Sequence, residues 1–138
     1  MTAIRRGGVG DLSAVAAIQQ ASPEAAHWNV ADYLERDFLV AVAEDRVVGF
    51  LVARDVAGDE REVLNLAVSP AFRRKGVARS LVERCLAGFS GTVVLEVRES
   101  NLAAQSFYKY IGFQELSTRP RYYNSPDESA IVMKFHSC

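Results

Sequence analysis

Between two apolar runs, EVLNLAV at 62–68 and TVVLEV at 92–97, the chain sets Ala78, Leu81, Val82, Cys85, Leu86 and Phe89 at i, i+3, i+4, i+7, i+8 and i+11. Arg79, Ser80, Glu83 and Arg84 fall on the other side of that stripe. The spacing is that of an amphipathic helix. Strand, helix and strand in this order predict a crossover between parallel strands. TVVLEV is nearly all apolar, as expected of a strand covered on both faces.

The flanking segments supply the remaining elements. Residues 2–6 read as a strand and 10–21 as a helix, with Leu12, Val15, Ala16 and Ile18 on one side and Asp11 in the first turn. Residues 29–36 read as a short second helix. FLVAVAE (38–44) and VVGFLVAR (47–54) flank a tight Asp45-Arg46 turn and predict a hairpin. Asn101 is a good N-cap for a helix carrying Ala104, Phe107, Tyr108 and Ile111, and Gly112 stands where a glycine would stop it. Residues 113–119 and 130–135 read as a final antiparallel pair. The expected order is β-α-α-β-β-β-α-β-α-β-β, a mixed α/β sheet built as a meander followed by the crossover.

No linker interrupts the sequence, so residues 1–138 read as a single domain, a length at which about two-thirds of the unfolded chain's surface is buried. Apolar residues make up 49% and charged residues 24%, which excludes a mainly disordered chain. No stretch approaches the roughly 20 apolar residues of a membrane span. MTAIRRGGVGD has no apolar run after its arginines and does not read as a secretory leader. A net charge of -1 argues against attraction of the whole surface to nucleic acid or anionic membrane. Cys85 and Cys138 form neither a disulfide framework nor a metal-ligand spacing, so no metal is expected. The expected compartment is the cytoplasm.

Chemistry concentrates where the strand meets the long helix. After Leu66-Ala67-Val68 comes Ser69-Pro70, then the basic turn Arg73-Arg74-Lys75-Gly76, then Val77-Ala78-Arg79 opening the helix. A helix N-terminus offers free N–H groups and the positive end of its dipole, and Gly76 and Ala78 would let a large anion approach the backbone. This is a phosphate-binding arrangement, without the residues of a Walker loop or of GxGxxG. An ordinary helix start with a solvated basic turn is the alternative.

Arg73-x-x-Gly76-x-Ala78 resembles the [QR]xxGx[GA] motif of the GNAT N-acetyltransferases, which binds the pyrophosphate of acetyl-CoA. The strand Leu64–Pro70 resembles that family's bulged strand along the pantetheine. Asn101-x-x-Ala104-x-x-x-Tyr108-x-x-x-Gly112-Phe113 resembles its second signature. Two signatures in the right order make the resemblance specific, and it covers essentially the whole chain. LEVRESN at 95–101 and the Tyr122-Tyr123 pair are similar to the RimI-type ribosomal-protein alanine N-acetyltransferases.

The resemblance implies a GNAT acyl-CoA N-acyltransferase fold and acetyl-CoA as donor. It implies cofactor contacts from Leu66, Ala67, Val68, Arg73, Arg74, Lys75, Gly76, Val77, Ala78, Arg79 and Asn101. Glu96 would be the general base and Tyr108 the acid that protonates the coenzyme A thiolate. Tyr122 and Tyr123 would line a peptide groove. Each has a plainer alternative: Glu96 an edge carboxylate paired with Arg98, Tyr108 a core aromatic, Asn101 a cap alone, and the two tyrosines packing on the sheet. Cys85 reads as core; His27 and His136 carry no assignment. The implied function is acetyl transfer to the α-amine of a protein N-terminus, with alanine first. A small-molecule amine as acceptor, or an inert acyl-CoA-binding module, are the alternatives; retention of Glu96 and Tyr108 argues against the last.

Overall fold

A computed structural model describes residues 2–23, 25–124 and 127–137; Cys138, residues 125–126 and the Arg121 side chain lie outside the described part. The strands are β1 (Ala3–Arg6), β2 (Asp37–Ala43), β3 (Arg46–Ala57), β4 (Glu60–Val68), β5 (Gly91–Arg98), β6 (Gln114–Asn124) and β7 (Asp127–Ser137). The helices are α1 (Leu12–Gln20), α2 (Val77–Leu86) and α3 (Leu102–Ile111). The element order is the one expected, and the α/β reading holds. The segment read as a second helix is the tighter 3-10 form, Val30–Glu35, opened by the Asn29 side chain accepting from the Ala31 N–H.

The chain divides into two compact units. The first comprises residues 1–54 and 64–88. Its strand order is β1-β2-β3-β4. β1 and β3 both pair antiparallel with β2. The hairpin turn is Glu44-Asp45, one residue earlier than the Asp45-Arg46 expected. Both take positive φ, 53° and 60°, and Ala43 pairs with Arg46. This is the left-handed two-residue turn that suits twisted strands. Val48 to Ala53 are all buried, because β3 is covered on both faces. Phe50 and Val52 pack with Val15, Ile18, Tyr33, Phe38 and Val40 beneath α1. On the opposite face Gly49 lets α2 come close: a Cβ there would stand 3.1 Å from Val77 Cγ1 and 3.4 Å from Leu81 Cδ1. Val77, Leu81, Val82 and Cys85 are the buried stripe of α2, and the helix ends before Phe89.

The second unit comprises residues 55–63 and 89–138, with strand order β4-β5-β7-β6. β4 and β5 run parallel, Glu60 to Glu62 opposite Thr92 to Val94, as the crossover requires. β5 departs from its expectation. Val93, Leu95 and Val97 are buried, whereas Val94, Glu96 and Arg98 on the other face are only half-buried. Four of its residues are apolar, yet one face carries two charged residues, Glu96 and Arg98. The stretch expected to connect the last two strands is instead strand on both sides of residues 125–126. Two register shifts, at Glu115/Ser117 and Arg119/Tyr123, let β6 run this far against β7.

Candidate functional site

Within the first unit, β4 ends at Val68 and the Ser69 N–H bonds the Val48 carbonyl at 2.8 Å. Pro70–Phe72 form one 3-10 turn, with Phe72 buried. The chain then turns into α2 through two left-handed residues, Arg74 (φ 62°) and Gly76 (φ 81°). Gly76 is the N-cap of α2, no side chain caps that end, and no acidic residue stands in its first turn. Neither the cap residue nor the first turn itself supplies a side-chain acceptor for the donors at this end. A Cβ on Gly76 would meet nothing within 4 Å, so the approach to these donors is open. An anion such as a pyrophosphate fits this cradle.

The basic residues divide their labour. Arg73 is turned back: its Nε donates to the Val68 carbonyl at 3.1 Å and its second guanidinium nitrogen to Ser22 Oγ at 3.2 Å. Arg73 braces the turn against the loop after α1. Lys75 stands 5.6 Å from the Phe72 ring centroid, and Arg79 pairs with Glu83 one turn along at 3.1 Å. On β4, Ala67 and Val68 are buried and Leu66 half-buried.

Just upstream is a buried network that the sequence reading missed. Asn65 Nδ2 donates to Gln19 Oε1 (3.1 Å), Tyr33 Oη (3.1 Å) and the Ala26 carbonyl (2.8 Å). Tyr33 donates to the same Gln19 oxygen at 2.5 Å, and Gln19 Nε2 donates to the Trp28 carbonyl at 2.7 Å. Together these bonds tie α1 and the segment around 26–33 to β4.

In the second unit Glu96 lies on the half-buried face of β5, its side chain 15% exposed. Oε1 accepts from Arg119 at 2.7 Å. Oε2 is buried and has no hydrogen-bond partner among the described residues. Burial pushes the carboxyl above its ordinary value, against the charge and hydrogen bond of Arg119, and Glu62 pushes it further up. The expected alternative pairing with Arg98 does not occur: Arg98 bonds Glu128 at 3.3 Å and covers the Tyr123 ring at 4.3 Å. Arg119 in turn covers the Tyr122 ring at 4.2 Å. Tyr122 and Tyr123 meet edge to face, 5.1 Å apart. Burial, with the Glu96 charge next, pushes Tyr123 up to about 12. These side chains form one cluster around the carboxylate.

Asn101 caps α3, its side-chain oxygen accepting from the Ala104 N–H at 3.1 Å, which leaves its amide nitrogen for any further contact. Tyr108 is buried on α3, edge to face with Phe107 (5.1 Å) and Phe113 (5.4 Å). It is thus anchored as a core aromatic, which also fixes the line of its hydroxyl.

The comparisons agree with this arrangement. Residues 12–113 match the acetyltransferase (GNAT) family. The chain is similar to the ribosomal protein bS18-alanine N-acetyltransferase of Haemophilus ducreyi, 35% identical over 100 residues, 67% of this chain and 68% of that one. Its fold is similar to the crystal structure of Ard1 from Thermoplasma volcanium, with a TM-score of 0.91, 30% identity, and 99% and 98% of the two chains covered. It is also similar to the ribosomal-protein-S18-alanine N-acetyltransferase of Escherichia coli, with a TM-score of 0.84, 29% identity, and 100% and 96% covered. On the family match and these likenesses, the chain belongs to the GNAT family and is an acetyl-CoA-dependent N-acetyltransferase.

Proposed function

We propose that this enzyme acetylates the α-amine of a protein N-terminus, with alanine as first residue, and that it works in the cytoplasm on a ribosomal protein. The names of the bS18-alanine relatives support the acceptor. The observation that carries the chemistry is the buried, unpartnered Oε2 of Glu96.

The uncapped start of α2, from Gly76 through Arg79, holds the pyrophosphate, with Arg74 and Lys75 adding charge and Arg73 keeping the turn in shape. The backbone of Leu66, Ala67 and Val68 runs along the pantetheine, and Asn101 adds a contact through its amide nitrogen. When bound, acetyl-CoA supplies a thioester and a thiolate leaving group. Glu96 Oε2 takes a proton from the acceptor ammonium, directly or through one water. The Tyr108 hydroxyl returns a proton to the departing sulfur. Tyr122 and Tyr123 flank the peptide.

The choice of amine follows from proton affinity. A peptide α-amine has a pKa of about 7.7–8.0 and a lysine side chain about 10.4. The gap of about 2.5 units is worth about 3.4 kcal/mol of deprotonation that the enzyme need not supply. One carboxylate already partnered by a guanidinium is a weak base and suits the easier amine. The Arg119 charge beside it also disfavours a long cationic side chain.

The test is mass spectrometry of a peptide with a free N-terminal alanine and an internal lysine, with spermidine as a parallel acceptor. The expected product is acetylated at the α-amine. Transfer mainly to the lysine, or efficient transfer to spermidine with none to the peptide, would overturn the assignment.

A further inference from the structure

Glu96 has two carboxylate oxygens in different circumstances. Oε1 is held by Arg119 at 2.7 Å, while Oε2 is buried and without a partner among the described residues. Arg119 reaches Glu96 diagonally across β7. In the strand register Arg98, Ala130 and Arg119 form one row, and Glu96 lies opposite Val132 two rows along, the next row on the same face. The fully buried Ala130 is small enough to leave room for that reach. The Tyr122 ring, 4.2 Å from the guanidinium carbon, backs Arg119 from the other side. A cation stacked on an aromatic face and bonded to a carboxylate has few other placements open to it.

We propose that Arg119 is a positioning residue for acetyl transfer: it pins Oε1 of Glu96, so that Oε2 is the oxygen presented to the acceptor amine. The inference rests on Glu96 being the base. A guanidinium that gripped both oxygens would engage a lone pair on each and leave neither oxygen fully open to the proton. Gripping one fixes the carboxylate plane and leaves the other lone pairs open. A neutral side chain in place of Arg119 would free the carboxylate to rotate.

The same contact sets the charge of Glu96. The groups that interact with it are Glu62 on β4 and Arg119 and Tyr123 on β6; Arg98 on β5 pairs with Glu128 on β7, and Lys134 on β7 stands opposite Val94. Burial and Glu62 favour the protonated carboxyl, and Arg119 opposes both. Removing Arg119 therefore raises the pH at which Glu96 ionises.

The experiment is a carbon-13 NMR titration of the Glu96 carboxyl in the free full-length enzyme, labelled on glutamate. The signal is assigned by its loss in Glu96→Gln. Arg119→Met is expected to move the midpoint up by about one pH unit. It should also lower kcat for the alanine peptide, with the KM for acetyl-CoA held. Arg119→Lys, which restores the charge, should bring the midpoint most of the way back. A folded Arg119→Met enzyme with an unchanged midpoint, or with wild-type kcat, overturns the proposal while leaving the base assignment in place. A Glu96→Gln enzyme that turns over like the wild type removes the base itself, and this role of Arg119 with it.

Discussion

Gly76→Val separates the fold from the phosphate turn. Gly76 sits at φ 81° and ψ 6°, in left-handed backbone that a β-branched residue adopts only under strain. The strain is worth about 1–2 kcal/mol. No steric cost adds to it, because a Cβ at this position meets nothing within 4 Å. In a chain of 138 residues each kcal/mol lowers Tm by about 3–5 °C, so the variant should melt about 3–10 °C lower and still be folded at 20 °C. The effect on the ligand is separate. The valine branches would stand in the open space before the start of α2, where the proposed function places the pyrophosphate. Loss of one hydrogen bond to a charged oxygen costs about 1.5–3 kcal/mol, or about 10–150-fold in Kd. Calorimetry with acetyl-CoA on the folded variant, with urea denaturation alongside, measures both quantities. Unchanged affinity in a folded Gly76→Val protein would refute the phosphate-turn assignment.

Tyr108→Phe keeps the ring that packs on Phe107 and Phe113 and removes only the hydroxyl; turnover should fall by about 10²–10⁴-fold with acetyl-CoA affinity retained. A steady-state rate near that of the wild type would leave Tyr108 as a packing residue alone. Glu96→Gln should lose turnover and gain relative stability as pH rises. The folded-state pKa of Glu96 is raised, so its favourable contribution is present below the unfolded carboxylate value and lost as pH climbs through the folded one. The difference in Tm between variant and wild type should therefore grow as pH rises past the unfolded carboxylate value of about 4.3; a difference that stays flat as pH rises contradicts the raised value.

Elements with a strong local signal were legible in the sequence. The α2 stripe, the Asn101 cap and the Gly112 stop each depend on residues within a turn or two of one another, and each stands where the pattern put it. What was not legible depends on register. The plainer alternative for Glu96 paired it with Arg98, two residues along, but the two side chains on β5 pair with residues of other strands. Arg119 reaches Glu96 across β7 from a strand that carries two register shifts, and no local signal in an eleven-residue strand reports them. The Gln19–Tyr33–Asn65 network is hidden for a similar reason. Asn65 reads as one polar residue within an apolar strand, and its partners lie 32 and 46 residues away. A lone asparagine inside LNLAV was nonetheless a usable cue, since a buried amide requires partners.

The position of Glu128 explains how the β6–β7 hairpin serves the proposed chemistry as well as the sheet. Its carboxylate accepts from the Ser100 N–H at 2.5 Å and from Arg98 at 3.3 Å. Hydrogen bonding from Ser100 comes first among the causes that hold this carboxyl below its usual range. Ser100 directly precedes Asn101, the cap of α3, so the hairpin is fastened at the junction where β5 hands over to the helix. One end of that junction carries Glu96 and the other carries Tyr108. The hairpin also presents Arg119 to Glu96, and Tyr122 and Tyr123 beside the two arginines. Base, positioning guanidinium, groove tyrosines and the start of the acid's helix thus share one run of contacts. Proton transfer demands placement to within a fraction of an ångström, and side chains fixed on strands and a capped helix meet that demand better than side chains on open loops. On this reading the second unit sets the chemistry, and the length of β6 and β7 is part of the catalytic design.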